Sequence, residues 1–186
     1  HGTGTDEQSY LKSWCEDFYE NNFSGIEKSG VIDTRKTDIA YDEKNYTAVN
    51  LNGDRVFSLS GHEVLEYFEG DSWENNEDRI AKRQDLTNVL AFWWLRSPVG
   101  TGTTNAGLVD GAGFLQLDYV DTDGFSARPA FNLNLSSILF TSAAGGGKSS
   151  QGMENGLTEI VPSSDDITEW KLTLLDSNRQ EFKAEA

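Results

Sequence analysis

The chain has few of the residues from which reaction centres and metal sites are built. Its 186 residues include one cysteine, Cys15, and two histidines, His1 and His62. One cysteine excludes an internal disulfide, and one thiol with two distant histidines disfavours zinc. A hydrolytic triad would lack a suitable base, and there is no Gly-x-Ser-x-Gly elbow. We therefore predict that the protein is not an enzyme and that it holds no metal or cofactor.

Basic residues and long apolar runs are also scarce. The chain has 15 Lys and Arg against 31 Asp and Glu, for a net charge of −16. Phosphate recognition needs Lys and Arg clusters, so nucleic acid is excluded as a partner and anionic membranes are disfavoured. No apolar run reaches about 18 residues, so no membrane insertion is predicted. Because the sequence starts without Met, we expect it to be cut from a longer precursor, and a missing signal peptide carries no weight.

The first helix is predicted over residues 8–24. Leu11, Trp14, Cys15 and Phe18 have the spacing of one apolar helical stripe. Cys15 lies among aromatic residues and is expected to be a small buried residue, not a nucleophile.

A second helix is predicted after a strand at 55–59. Ser60 and Glu63 have the spacing of a capping box that opens this helix, and His62 in its first turn is expected to be exposed. Asn52-Gly53 predicts a tight turn. Short strands are predicted at 39–41 and 47–49, and a short helix at 79–90.

The second half of the chain predicts short strands separated by glycine-rich turns. Alternating apolar residues and breakers place them at 92–95, 106–109, 114–120, 125–135 and 170–175, with a loop at 141–156. Trp93 and Trp94 should point to opposite faces of their strand. The fold class is therefore α+β, with two helices and short, mostly antiparallel strands. We expect one domain over 1–175 and a tail, 176–186, that leads to a further domain.

The 31 residues between Arg96 and Arg128 contain no Lys, Arg or Glu. A weakly charged, chemically mixed insert between aromatic flanks is typical of a presented surface. Asp118, Asp121 and Asp123 could offer oxygen ligands to calcium, but they lack the spacing of an EF-hand, and a turn is the favoured interpretation. A glycine-rich stretch at 143–149 lacks the first Gly of a phosphate-binding loop, and a flexible loop is favoured there.

Several motifs together resemble a family of uncharacterised bacterial domains, the DUF6273 family. They are 93–98 (WWLRSP), 105–107 (NAG), Val109, Gly113, 128–133 (RPAFNL), 146–150 (GGKSS) and 170–174 (WKLTL). The chain departs from the family at Ser126-Ala127, where Gly-Val is usual. Members occur in secreted and surface proteins, so the resemblance implies an extracellular or cell-surface location, or a phage virion.

The resemblance also implies a C-type-lectin-like fold, in the branch shared with formylglycine-generating enzymes and with the variable proteins of diversity-generating retroelements. Adenine-directed mutagenesis of Asn codons cannot produce Lys, Glu, Met, Trp or Gln. Lys, Glu, Met and Trp are absent from 97–127, where even spreading would place about six of them. Gln116 must then belong to the framework, and a glycine-rich sheet region that simply avoids these residues is the alternative explanation.

The resulting hypothesis is a hypervariable receptor that binds a protein or a glycan through residues 99–127. We name residues 97–127, between Arg96 and Arg128, the window. The structural frame around it is expected to be Trp93, Trp94, Arg96 and Arg128. The two arginines are expected to tie the ends of the window together through bonds to carbonyls or an acid. The expected ligand-binding residues are Leu108, Asp110, Phe114, Asp118, Tyr119, Asp121, Thr122, Asp123 and Phe125. A non-variable structural or adhesin domain of a multidomain surface protein is the alternative. Oxidative chemistry of the formylglycine type is disfavoured, because it requires a thiol pair.

Overall fold

The computed structural model describes residues 9–41, 45–70, 74–83, 89–100, 104–143 and 170–174. They fall into two compact units. One unit takes in the described parts of 1–23 and 32–132, and the other takes in 24–31 and the described parts of 133–186. The segment 144–156 and the tail 176–186 lie outside the described residues, and the single-domain boundary at 175 stays a prediction.

The described residues form a mixed α+β fold with three helices and small, mostly antiparallel sheets, which confirms the predicted class. The helices are α1 (Tyr10–Asn22), α2 (Gly25–Gly30) and α3 (Gly61–Tyr67). The strands of the first unit are β1 (Thr34–Lys36), β2 (Leu51–Asp54), β3 (Phe57–Ser58), β4 (Ala81–Lys82), β5 (Leu90–Ala91), β6 (Trp93–Pro98), β7 (Asn105–Val109), β8 (Leu115–Tyr119), β9 (Ser126–Ala127) and β10 (Pro129–Ala130). The second unit contains β11 (Ile138–Ala143) and β12 (Trp170–Leu174). No helix in these described stretches has the length and hydropathy to cross a membrane.

Helix α1 is confirmed, but its buried face differs from the predicted stripe. Ser9 caps the helix by accepting a hydrogen bond from the Lys12 amide at 3.5 Å. Cys15 and Tyr19 are buried, whereas Trp14 is 41% exposed. The helix packs on β3 through the face that carries Cys15 and Tyr19. This face lies one residue after Trp14 and Phe18 in the helical repeat.

The predicted capping box at the start of α3 is confirmed. The Ser60 hydroxyl accepts from the Glu63 amide at 3.1 Å, and the Glu63 carboxylate accepts from the Ser60 amide at 3.0 Å. Helix α2 opens with the same arrangement of Ser24 and Glu27, a helix that the sequence analysis missed. Six residues are too few for an apolar periodicity to be recognised.

The predicted helix over 79–90 is wrong. A 3-10 turn at Glu77–Arg79 is followed by β4, which pairs with β5. A continuing helix would need the Arg79 carbonyl to accept from Arg83. Instead, that carbonyl accepts from Trp93 and Arg128, and the Arg83 amide donates to Val89.

The predicted turn at Asn52-Gly53 is also wrong, because both residues lie within β2. Strand β1 pairs with β2 antiparallel, with a register shift between Thr34 and Arg35. Gly53 is the extra residue at this register shift, and its φ of +110° is a conformation that glycine adopts readily. The predicted strand at 39–41 is reduced to an isolated bridge of Tyr41 with Tyr46. The predicted strand at 47–49 is wrong, and Tyr46 just before it forms a second isolated bridge with Val99.

The main sheet has the strand order β8-β7-β6-β9. Strands β6, β7 and β8 are antiparallel, whereas β9 runs parallel to β6. The predicted strands at 92–95, 106–109 and 114–120 are confirmed as β6, β7 and β8, and the predicted strand at 125–135 is divided into β9, β10 and a 3-10 turn at Leu135–Ser137. The buried core of this unit consists of Tyr46, Leu51, Phe57, Leu59, Val64, Trp93, Leu95, Val109 and Leu115.

In the second unit, β11 pairs with β12 antiparallel. Helix α2 packs on β12, and the Asn134 amide donates to the Gly30 carbonyl at 2.8 Å. The predicted strand at 170–175 is confirmed as β12. Residues 141–143, predicted as the start of a loop, belong to β11.

Candidate ligand-binding surface

Arg96 anchors the start of the window to the core. Its Nε donates to the Val49 carbonyl at 3.0 Å and its Nη1 donates to the Ser58 carbonyl at 2.9 Å. Nη1 also bonds the Glu63 carboxylate, and Nη2 lies 3.3 Å from Asp38 Oδ2. Arg96 therefore bonds carbonyls and acids, as predicted, but these partners precede the window and do not tie its two ends together.

The side chains around Arg96 form a buried ionic cluster. The side chains of Asp38 and Glu63 are each 1% exposed, and Lys36 Nζ lies 3.1 Å from Glu63 Oε1. Burial alone would raise the pKa of Glu63, but hydrogen bonds from Arg96 and the Ser60 amide, together with the Arg96 charge, lower it. Burial likewise opposes the charge of Lys36, yet its bonds to Tyr67 and Glu63 raise its pKa.

Arg128 anchors the other end of the window. Its guanidinium lies over the Trp93 and Phe68 rings, 5.0 and 5.1 Å from their centroids. Its Nη1 donates to the Arg79 carbonyl at 3.0 Å, and Trp93 Nε1 donates to the same oxygen at 3.1 Å. Burial lowers the pKa of Arg128. Each end of the window is thus fixed to a different part of the same unit.

One of the expected ligand-binding side chains is buried, and another packs against neighbouring aromatic rings. Leu108 is 2% exposed, so its expected place on the surface is wrong. Phe125 is half-buried and stacks on Phe92, with 5.3 Å between ring centroids, and it contacts Trp94 at 5.0 Å. Trp93 is fully buried and Trp94 is half-buried, which agrees with the predicted opposite orientations.

The turn from 110 to 114 uses Asp110 as a structural group. Its Oδ1 accepts from the Ala112 and Phe114 amides at 2.9 and 3.0 Å. Gly113 has a φ of +86°, and a Cβ there would lie 2.1 Å from the Asn76 carbonyl oxygen. The Asp110 carboxylate thus holds a turn that is packed against a neighbouring segment, and the Phe114 side chain is half-buried.

Asp118 organises the turn that follows β8. Its Oδ1 accepts from the Tyr119 amide at 2.7 Å and from the Thr122 hydroxyl at 3.1 Å. The Thr122 amide donates to the Tyr119 carbonyl at 3.0 Å. These bonds support the turn interpretation of 118–123, and among the described residues no group of three or more His, Cys, Asp or Glu suits a metal ion.

Among the described residues of the window, a group of exposed side chains lies at the end of β8 and in this turn. Tyr119 is 62% exposed and Leu117 is 44% exposed, while Asp121 and Asp123 are exposed and Thr122 is half-buried. We name these five residues the display surface. The sequence analysis named Tyr119 and not Leu117, although the two side chains lie on the same face of β8. Gly107 pairs with Leu117, and the Tyr46 ring fills the space beside Gly107. On this face the core therefore ends at the preceding pair, Val109 and Leu115.

Cys15 and His62 are the two reactive side chains considered in the sequence analysis, and each lies among structural neighbours. Cys15 is 2% exposed, and burial, with the charges of Asp54 and Glu16, raises its pKa to about 12. A thiol with that pKa is protonated at neutral pH, and the exposed fraction of 2% confirms the expected burial of Cys15. The His62 side chain is 31% exposed, and its Nδ1 lies 3.8 Å from Asp38 and 3.9 Å from Glu66.

The sequence matches a family model described as a domain of unknown function (DUF6273) over residues 2–135. The chain belongs to the DUF6273 family. The matched range contains the whole main sheet and the display surface, and it ends before β11. No curated protein and no solved structure matches the chain.

Proposed function

We propose that this chain is a ligand-binding module that recognises a protein or a glycan through the display surface. The carrying observation is the exposure of Tyr119 and Leu117 at the end of a sheet whose interior side chains, among them Trp93, Leu95, Leu108 and Leu115, are buried. Exposed aromatic residues supply contact area at low entropy cost, and nearby Asp and Thr groups supply polar specificity. We further propose a location on a bacterial cell surface, in a secreted protein or on a phage virion.

A C-type-lectin-like fold, diversified by a retroelement, is the finer form of this proposal. The absence of Lys, Glu, Met and Trp from 97–127 supports it. In this scheme Gln116 belongs to the framework. Its side chain is half-buried, and its carbonyl accepts from the Tyr46 hydroxyl at 2.7 Å. In this scheme the core and the anchors of Arg96 and Arg128 stay constant while the display surface varies.

The gene neighbourhood tests the variability. The expected result is a reverse transcriptase gene together with a near-identical template copy of the region encoding 93–134, differing from it at adenines. Absence of both would remove the retroelement from the proposal and leave a non-variable binding module.

Ligand screening tests the binding itself. We expect a glycan array or a panel of purified cell-surface proteins to yield a ligand, and Leu117→Ser/Tyr119→Ser to weaken its binding about tenfold or more. The melting temperature should stay nearly unchanged, because both side chains are exposed. The matched control, Tyr10→Ser/Trp14→Ser, should bind that ligand normally. A chain that binds nothing, while its deletion weakens the parent surface protein, would favour the structural adhesin alternative.

A further inference from the structure

A second exposed surface lies on α1, away from the window in sequence. Trp14 stacks on Phe18 with ring centroids 5.2 Å apart, Phe18 meets Phe23 edge-on at 5.9 Å, and Phe23 meets Phe131 edge-on at 5.3 Å. We name these four rings, together with Tyr10, the aromatic ladder. Trp14, Phe18, Phe23 and Phe131 form a continuous row of rings within the first unit.

The aromatic ladder is directed outward by the helical period. Tyr10, Trp14 and Phe18 recur every four residues, one position before the inward-facing Leu11, Cys15 and Tyr19. Tyr10 is 67%, Trp14 41% and Phe131 39% exposed. Large contiguous apolar patches are rare on monomeric soluble proteins and mark sites of interaction.

The surroundings of the aromatic ladder on α1 are acidic. Glu16, Asp17 and Glu20 are all exposed, and Asp17 follows Tyr10 by seven residues, so the two lie nearly in line along the helix. Lys12 pairs with Asp54 at 3.0 Å, and the last turn of α1 contains no basic residue. The carboxylates and the negative, C-terminal end of the helix dipole therefore both attract cations to this surface.

We propose that the aromatic ladder docks a basic amphipathic segment of a partner protein. Apolar side chains of the partner would pack on Trp14 and Phe131, while its Lys and Arg side chains would face Asp17 and Glu20, which lie along one edge of the aromatic ladder. Cations are also attracted to the faces of exposed Trp and Tyr rings. An acidic or strongly anionic partner would be repelled by a chain of net charge −16. This surface is separate from the display surface, and the proposal does not depend on the function proposed for that surface.

The test uses three synthetic peptides of about 18 residues and fluorescence anisotropy. The basic amphipathic peptide has Leu on one helical face and Lys elsewhere; the second has Glu in place of Lys; the third has the basic composition in scrambled order. We expect the full chain to bind only the first peptide with appreciable affinity. Tyr10→Ser/Trp14→Ser should weaken that binding about tenfold or more, and Asp17→Asn/Glu20→Gln should weaken it and reduce its salt dependence.

Two controls make the result specific to the aromatic ladder. Leu117→Ser/Tyr119→Ser removes comparable exposed area elsewhere, and Asp121→Asn/Asp123→Asn removes the same charge elsewhere; both should bind the basic peptide as the unchanged chain does. Equal binding of the scrambled peptide, or equal weakening by the ladder and control variants, would overturn the proposal. It would also be overturned if sedimentation showed a dimer that Tyr10→Ser/Trp14→Ser dissociates, because the occupant would then be a second copy.

Discussion

At the scale of single residues, the buried carboxylate of Glu63 connects a helix start to the main sheet. It accepts from the Ser60 amide, bonds Arg96 and pairs with Lys36. Buried charges are tolerated when they are paired and hydrogen-bonded, and removing one partner leaves the others unsatisfied. This cluster should therefore control how the protein responds to acid.

Glu63→Gln is expected to lower the free energy of unfolding at neutral pH by about 3 kcal/mol. Because the pKa of Glu63 in the folded protein is lowered from its ordinary 4.5, its contribution is complete above pH 4.5 and is lost as the pH falls through the folded-state value. The difference between the two proteins should thus narrow in acid, as measured by urea denaturation from pH 7 to pH 3. The control, Glu27→Gln, changes the same capping position on helix α2. If Glu27→Gln lowered the free energy of unfolding as much as Glu63→Gln does, the buried ionic cluster would not be the source of the Glu63 effect.

At the scale of elements, α2 and α3 begin with the same capping box in different surroundings. The Ser24 and Glu27 pair is exposed, whereas Ser60 and Glu63 are buried, and the first amide of α3 also donates to Ser97 on β6. The sequence signal is therefore the same at both sites, and burial decides how much each contributes.

Ser60→Ala is expected to destabilise the protein by about 1.5 kcal/mol, since it leaves a buried amide unsatisfied. Ser24→Ala should cost about 0.5 kcal/mol, because water can replace the lost bond. Chemical denaturation of both variants measures the two values. Equal costs would show that burial does not set the strength of the cap.

At the scale of the whole molecule, one sheet combines a closed core with an exposed end. Leu108 and Leu117 lie on neighbouring strands, yet they are 2% and 44% exposed. Leu108→Ala is expected to cost about 3 kcal/mol, because it leaves a cavity, and Leu117→Ala about 0.5 kcal/mol. Thermal and urea unfolding would measure both. A cost for Leu117→Ala close to that of Leu108→Ala would mean that the display surface supports the core.

Local patterns predicted part of this fold correctly. The periodicity of α1, the Ser60 capping box and the alternation in β8 each depend on neighbours within a few residues, so they are visible in the chain. The helix predicted over 79–90 failed because distant donors, Trp93 and Arg128, use the Arg79 carbonyl. On β8, the sequence analysis named Tyr119 but not Leu117, although both are exposed on the same face, since alternation shows which face a residue occupies but not where the core ends.

By itself, the sequence determined the α+β class, the acidic surface and the absence of a disulfide, because composition and short-range periodicity specify them. Only the tertiary structure decided which aromatic and aliphatic side chains reach solvent. Burial is a property of packing between segments far apart in the chain. It placed Leu108 inside, left Tyr119 and Trp14 outside, and gave Arg96 its partners from three preceding segments.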